Sequence, residues 1–297
     1  MIHAQGGIAE RPPVPGQPAH VRLERLSALW FQVTGLLCNL ECTHCLVDSS
    51  PRNTSMLFLD RATVQAYLHE ADLLGVKEIY FTGGEPFLHP GMPTLLADAL
   101  AIAPTTVLTN GTLITPSMAQ TLQHISDRSR YSLEIRVSMD HPDEAENDRL
   151  RGRGSHAKAL RAVLRLQEVG LLPIVTVTEY FQNGGPPLFE RFLAMLKREG
   201  VQKPRLKMLP VFHIGKLEDP RTGGAVSQAM MADVDPLMLQ CAQTRVITAQ
   251  GVYACPILVG KKQGLLGSAS LRGSPGVDLA HHACRTCYET GMSCANT

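Results

Sequence analysis

The eight cysteines of this 297-residue chain fall into two groups. Three lie within eight residues, in Cys38-Asn39-Leu40-Glu41-Cys42-Thr43-His44-Cys45, and the next 195 residues contain none. The other five lie in the last 57 residues, at Cys241, Cys255, Cys284, Cys287 and Cys294. Residues Met1 to Gly16 lack the basic-then-apolar order of a secretion signal, and disulfides are rare in reducing compartments. Clustered thiols in such a chain indicate a metal or iron–sulfur site.

The spacing of the first three cysteines suits an iron–sulfur cubane. Three thiolates this close can each ligate one iron, which leaves the fourth iron without a ligand from this loop. An open iron is a place where a small molecule can chelate. A structural zinc site is the alternative, but zinc prefers four protein ligands. His44 would then have to supply the fourth from inside a tight loop.

A second motif, Gly83-Gly84-Glu85-Pro86, directly follows the strand-like run Glu78–Thr82. Two glycines let the backbone turn sharply and approach a ligand closely. Glu85 then lies at the carboxyl end of a strand, where α/β folds place their ligands. Taken alone, the motif also fits an ordinary strand-to-helix turn.

Together the two motifs resemble those of the radical S-adenosylmethionine (radical SAM) enzymes, over about residues 28–215. The resemblance implies that Cys38, Cys42 and Cys45 hold a [4Fe–4S] cluster whose open iron is chelated by S-adenosylmethionine. Reductive cleavage would then give a 5′-deoxyadenosyl radical that abstracts hydrogen from a substrate.

The same resemblance implies a set of contacts to S-adenosylmethionine. Gly83, Gly84, Glu85 and Pro86 would receive the methionine amino group, and Arg151 would meet the methionine carboxylate. Thr109 and Asn110 end the third strand as in many members, and Ser138 and Asp140 fit the ribose contacts. His44 stands where many members carry a large aromatic residue against the adenine.

The carboxyl-terminal cysteines suit a second metal centre. Cys241 and Cys255 could flank a short hairpin, and Cys284 and Cys287 form a Cys-x2-Cys pair. Four thiolates fit either zinc or a fully ligated cubane. The neighbouring pair His281-His282 adds candidate zinc ligands, so the residues alone leave both metals open.

Here too a resemblance favours iron, because the spacing is similar to the SPASM and twitch extensions of radical SAM enzymes, which hold auxiliary clusters. A full SPASM pattern has seven cysteines and two auxiliary clusters, whereas this chain has five cysteines in this region. The resemblance therefore implies one auxiliary [4Fe–4S] cluster held by Cys241, Cys255 and two of the last three cysteines. We favour Cys284 and Cys287 over Cys294, because a Cys-x2-Cys hairpin pre-arranges both sulfurs.

The elements that would position these residues alternate between strands and helices, which predicts βαβ units and a parallel sheet. Six strands are too few to close an eight-stranded barrel. In the fourth run polar residues alternate with apolar ones, which favours a strand facing a polar cavity. We predict an α/β fold, an open partial (β/α)6 TIM-like barrel with a small cysteine-rich extension. The strand-like runs are Leu29–Thr34, Glu78–Thr82, Thr105–Thr109, Leu133–Asp140, Leu172–Thr178 and Arg205–Leu209.

The predicted domains are a flexible proline-rich tail over residues 1–24, the partial barrel over 25–215 and the auxiliary-cluster region over 216–297. Four helical patterns lie in the barrel. One begins at Asp60 and stops at Gly75, and one begins at Thr115-Pro116. Two more stop at Gly170 and Gly200.

The composition limits the function classes. With 28 basic and 27 acidic residues the net charge is +1, so no electrostatic argument favours nucleic acid or an acidic membrane. No apolar run reaches the ~18–20 residues that span a bilayer. We expect a cytoplasmic enzyme with a small-molecule or peptide substrate and an external reductant such as a flavodoxin or ferredoxin. The alternatives are an iron–sulfur electron-transfer protein and a zinc-stabilised binding protein without redox chemistry.

Overall fold

The computed structural model describes residues 17–180, 186–267 and 270–291. Cys294 and most of the predicted tail lie outside these residues. The strands are β1 His20–Val21, β2 Ala28–Gln32, β3 Glu78–Thr82, β4 Thr105–Thr109, β5 Leu133–Ser138, β6 Ile174–Thr178, β7 Leu206–Leu209, β8 Thr244–Thr248, β9 Gly251–Tyr253 and β10 Val277–Asp278. The helices are α1 Arg61–Leu73, α2 Met92–Leu100, α3 Pro116–Asp127, α4 Glu144–Arg151, α5 Ser155–Glu168, α6 Leu188–Arg198 and α7 His282–Thr290.

The main sheet has eight strands in the order β7-β6-β5-β4-β3-β2-β8-β9. Strands β2 to β7 are the six predicted ones, all parallel to their neighbours, which confirms the predicted partial barrel. The sequence did not predict that the extension adds to this sheet. Strand β8 pairs in parallel with β2, and β9 returns antiparallel to it as the expected hairpin. The carboxyl-terminal region is thereby joined to the first barrel strand.

All four predicted barrel helices are present, and local signals explain their ends. Asp60 accepts the N–H of Thr63 at 2.7 Å at the start of α1, and Thr115 accepts that of Met118 at 3.1 Å at the start of α3. Two helices were missed in the barrel, α2 and α4. The second has no apolar period because five of its eight residues are charged. It starts where Asp143 accepts the N–H of Glu146 at 3.1 Å.

The two faces of the sheet are filled differently. On the outer face, Phe31 stacks on Phe81 at 5.4 Å between ring centroids, within the core formed with the helices. On the inner face, Trp30 stacks on Tyr80 at 4.2 Å, and the Arg136 guanidinium lies over Tyr80 at 5.6 Å. These large side chains fill the middle of the inner face.

The amino-terminal segment that the structure describes is part of the fold. Strand β1 pairs antiparallel with β10, and Ala19 exchanges backbone hydrogen bonds with Val226 and Leu279 at 2.8 Å. None of the helices in the described ranges is long and apolar enough to cross a membrane.

Candidate functional site

The candidate site is a pocket at the carboxyl edge of the parallel sheet. The last residue of each of five consecutive strands lines it, namely Thr82, Thr109, Ser138, Thr178 and Leu209. All three amino-terminal cysteines line it too. Its empty space, including the opening to solvent, is about 1140 Å³. This edge is where α/β folds bind their ligands.

The cysteine loop is held in place by backbone hydrogen bonds to elements distant in sequence. The N–H of Glu85 donates to Leu37 O at 3.1 Å, and that of Thr43 donates to Leu150 O at 2.9 Å. Lys216 N–H donates to Cys45 O at 3.0 Å, which joins the loop to the start of the carboxyl-terminal region. The position of the cysteine loop therefore depends on hydrogen bonds to three distant parts of the chain, at Glu85, Leu150 and Lys216.

Gly84 explains why the second motif needs glycine. A Cβ built on Gly84 would lie 2.0 Å from Leu37 O and 2.7 Å from Cys38 N. No side chain fits between the two backbones. The absence of a Cβ thus brings the glycine turn directly against the first cysteine.

Glu85 joins two turns of the pocket. Its carboxylate accepts the Thr109 hydroxyl at 2.7 Å on one oxygen and the Asn110 N–H at 2.8 Å on the other. Phe87 N–H also donates to it, at 3.1 Å. Burial raises the pKa of Glu85 to about 7, although these three hydrogen bonds act in the opposite direction. The carboxyl group is fully buried and positions Asn110, whose amide donates to Cys38 Sγ at 3.7 Å.

Asp140 forms a second buried junction. One oxygen accepts Thr178 N–H at 3.0 Å, and the other pairs with Arg151 and with His44 Nε2, the latter at 2.9 Å. Burial alone would raise the pKa of Asp140, but the Arg151 guanidinium and the His44 hydrogen bond hold it well below its usual range. This carboxylate therefore connects β5, β6, α4 and the cysteine loop.

Of the nine residues predicted to contact S-adenosylmethionine, six line the pocket and three lie behind it. Gly83, Gly84, Thr109, Asn110, Ser138 and Arg151 line it. Glu85 and Asp140 are fully buried and hold neighbouring groups in place, and Pro86 is buried beside Glu85. The sequence reasoning missed the hydroxyls of Ser49 and Thr176, which also line the pocket. Alternation of threonine with valine along β6 was a usable signal for Thr176.

Buried polar atoms without partners show that the pocket suits a polar ligand. His44 Nδ1, Ser49 Oγ and Thr176 Oγ1 line it, are inaccessible to solvent and have no hydrogen-bond partner in the described protein. The large majority of buried side-chain polar atoms in proteins have a hydrogen-bond partner. Three thiols beside these atoms form a donor set suited to an iron–sulfur cluster together with a polar cofactor.

The four predicted auxiliary ligands converge in a second pocket. Cys241, Cys255, Cys284 and Cys287 line one apolar cavity, between the start of β8, the end of β9 and α7. Burial raises the pKa of Cys241 and of Cys284 to about 12, so a bound metal must displace their protons. Gln240 Nε2 lines the same cavity, buried and without a partner in the described residues, where it could donate to a sulfur.

The spacing of the cysteine sulfurs can be compared with that of a tetrahedral zinc site. Tetrahedral zinc with Zn–S bonds of about 2.3 Å places its sulfurs about 3.8 Å apart. Among the described residues, one set of three potential ligand atoms lies within 4.8 Å of one another, and it contains no cysteine. Both cysteine groups are thus spread more widely than mononuclear zinc requires. A cubane, which places each sulfur on a different iron, needs wider spacing.

That one set consists of Glu218, His281 and His282, and its hydrogen bonds argue against a metal. His281 Nδ1 accepts Ala283 N–H at 3.1 Å, so the neutral ring carries its proton on Nε2, which faces Glu218 at 3.7 Å. Burial lowers the pKa of His281, which favours this neutral form. Lys261 already pairs with Glu218. The group is an ion cluster at the start of α7.

The sequence model of the Radical SAM superfamily matches residues 33–187, more than half of the chain and all of the first pocket's motifs. The chain belongs to the radical SAM superfamily. This membership implies a [4Fe–4S] cluster and S-adenosylmethionine as cofactors, and the first pocket offers a donor set that fits both.

Curated relatives share this core. The chain is 29% identical over 151 residues to the antilisterial bacteriocin subtilosin biosynthesis protein AlbA of Bacillus subtilis, covering 49% of this chain and 32% of AlbA. It is 33% identical over 134 residues to the mycofactocin maturase MftC of Mycobacterium ulcerans, covering 45% of this chain and 34% of MftC. The chain therefore spans about a third of the length of these relatives.

A solved structure agrees with the fold over a longer stretch. Streptococcus suis SuiB bound to S-adenosylmethionine superposes with a TM-score of 0.55 at 17% identity, over 81% of this chain and 62% of SuiB. At this identity the likeness shows the fold alone, and it supports the partial barrel described above.

We predict that Asp140→Asn lowers the free energy of unfolding by about 3–5 kcal/mol, because it leaves Arg151 buried without its anion. Because the folded-state pKa of Asp140 is lowered, its contribution is present above the unfolded pKa and declines as the pH falls below about 4. Urea unfolding of the anaerobically reconstituted protein, followed by circular dichroism, measures both effects.

Asp278→Asn is the matched control, because Asp278 also pairs with a histidine, His20 at 2.7 Å, but is 67% exposed. Its loss should change the stability by only about 0–1 kcal/mol. Equal losses in the two variants would contradict the role given to the buried junction.

Proposed function

We propose that this radical SAM protein is an enzyme that removes a hydrogen atom from a small molecule or peptide and completes a net oxidation or bond formation with the help of an auxiliary cluster. One observation carries the proposal: the three cysteines, the glycine turn and the ends of five parallel strands line the same pocket. When bound, the family's cofactors supply a 5′-deoxyadenosyl radical by reductive cleavage of S-adenosylmethionine.

In this proposal Cys38, Cys42 and Cys45 ligate three irons. Their sulfurs already receive N–H donors that suit thiolates: Leu40 N–H reaches Cys38 Sγ at 3.4 Å, and Ser49 N–H reaches Cys45 Sγ at 3.2 Å. The reducing electron would come from a flavodoxin or ferredoxin in the cytoplasm.

The side chains around the pocket have distinct proposed roles. Arg151 has five N–H donors, and its pairing with Asp140 leaves others to bind the methionine carboxylate. Asp140 holds Arg151 and His44 in place, and the backbone around Gly83 and Gly84 receives the methionine amino group. Ser138 and Thr109, at the ends of β5 and β4, offer hydroxyls to the remaining polar groups of the cofactor.

Part of the pocket lining is an apolar wall. It consists of Leu46, Leu209, Pro210, Val211, Phe212 and Leu217. Such a wall excludes water, which protects a reactive intermediate from side reactions. The substrate would enter from the open side, against this wall.

The second pocket supports the auxiliary part of the proposal. Four cysteines, one from each side of a hairpin and two from α7, meet there. A fully ligated cluster at this place can exchange one electron with a substrate-derived radical. We therefore propose a radical SAM barrel over residues 25–215 and an auxiliary-cluster region over 216–297.

The names of two relatives favour a natural-product substrate. One is named for biosynthesis of a bacteriocin and another for maturation of mycofactocin. We propose a peptide or small molecule of that kind for this chain.

The first test is formation of 5′-deoxyadenosine. Protein reconstituted with iron and sulfide without oxygen, then given S-adenosylmethionine and dithionite, should form it, and mass spectrometry quantifies it. Cys42→Ala should lose the product, because one iron loses its ligand, whereas Cys294→Ala should retain it. Iron-loaded protein that forms no deoxyadenosine would favour an electron carrier, and zinc in place of iron would favour the binding-protein alternative.

The second test concerns the auxiliary ligands. Wild-type protein should contain about eight irons per chain, and Cys287→Ala should contain about four, because the second cluster loses a ligand. Cys294→Ala, the matched cysteine substitution, should keep about eight. Loss of iron in Cys294→Ala but not in Cys287→Ala would contradict the proposed ligand set.

A further inference from the structure

Arg245, in the middle of β8, has a fully buried side chain with no solvent-exposed surface. Its guanidinium donates to Cys241 O at 2.8 Å, Thr244 O at 2.7 Å and Pro275 O at 2.9 Å. Its Nε donates to Ser274 Oγ at 2.7 Å. Every one of these acceptors is neutral.

No carboxylate in the described ranges lies within 4.0 Å of this guanidinium. Two other arginines of the described ranges are different, because buried Arg136 pairs with Glu134 at 2.8 Å and the largely buried Arg151 pairs with Asp140. A buried charge without a counter-charge is unfavourable in a folded protein. Arg245 is therefore a cation whose compensating anion must come from elsewhere.

The cysteine pocket beside Arg245 becomes negatively charged when its thiols lose their protons to a bound metal. Arg245 donates a hydrogen bond to the backbone carbonyl of Cys241, and Cys241 lines the pocket together with Cys255. An arginine is a permanent cation in proteins.

The position of Arg245 matters because a cubane bound by four thiolates carries a negative charge. A [4Fe–4S] core of charge 2+ bound by four thiolates carries a net charge of 2−, and accepting one electron makes it 3−. A nearby buried cation stabilises the 3− state more than the 2− state, and more strongly inside the protein than in water. Its presence therefore favours reduction of the cluster.

We propose that Arg245 is the built-in counter-charge of the auxiliary cluster and raises the reduction potential of that cluster, so that it accepts an electron during turnover. This inference rests on the proposed function. Arg245 touches neither substrate nor the reacting atoms, and it acts as a positioning and electrostatic residue through Cys241 and Cys255.

The test is a redox titration of the reconstituted full-length protein, followed by electron paramagnetic resonance. The auxiliary signal is the one that S-adenosylmethionine does not alter. For Arg245→Gln, the ratio of reduced to oxidised auxiliary cluster at the wild-type midpoint should fall about tenfold, equivalent to about 59 mV for one electron. Arg245→Lys keeps the charge and should change this ratio less than threefold. Arg165→Gln is the control, because Arg165 donates only to a neutral carbonyl, Ile114 O, in the barrel.

The outcomes separate a charge effect from a structural one. An unchanged midpoint in Arg245→Gln with two full clusters overturns the proposal. Loss of auxiliary iron in both the glutamine and the lysine variants assigns Arg245 a purely structural role and also overturns it. Loss of auxiliary iron in Arg245→Gln but not in Arg245→Lys supports the proposal, because the positive charge is then what retains the cluster. A wild-type protein that holds only one cluster would instead overturn the auxiliary part of the proposed function.

Discussion

The geometry of the first pocket depends on the buried carboxylate of Asp140. A buried anion is tolerated only when it is fully paired, and Asp140 is paired with Arg151, His44 and Thr178 N–H. These partners come from α4, the cysteine loop and the end of β6. Because each partner is needed to satisfy the charge, the loop that carries the three cysteines has one favourable position relative to the sheet. Glu85 likewise fixes the position of the glycine turn relative to the end of β4, through its hydrogen bonds with Thr109 and Asn110.

The two pockets differ in whether their buried arginine is paired with an acidic residue. In the first, a buried acid and arginine neutralise each other, so the pocket wall adds little net charge to whatever binds there. In the second, the arginine is left without an acid, and its charge is available to the four cysteines. In our account the first arrangement serves orientation of a polar cofactor and the second serves electron transfer. The strand pairing of β8 with β2 fixes both in one sheet.

The sequence was sufficient to predict the features that depend on local signals. Capping residues at Asp60 and Thr115 and the alternation along β5 predicted the barrel, and cysteine spacing predicted which thiols converge. Features that depend on contacts between distant parts of the chain could not be predicted from the sequence. Helix α4 has no apolar period, so its role in placing Arg151 could not be anticipated. Arg245 differs from a surface arginine only by its burial, although its position within an apolar β run was a usable signal. Asp140 was expected to meet a ribose, and which groups occupy its oxygens depends on three elements that meet only in the fold.

The central claim is that Cys38, Cys42 and Cys45 hold a cluster with an iron open to S-adenosylmethionine. Electron paramagnetic resonance of the dithionite-reduced protein, with and without S-adenosylmethionine, tests it most directly. The account predicts that the cofactor shifts the g values of one cluster signal, that the shift is absent in Cys42→Ala, and that the auxiliary signal is unaffected. A spectrum of the iron-loaded wild-type protein that S-adenosylmethionine leaves unchanged would contradict it.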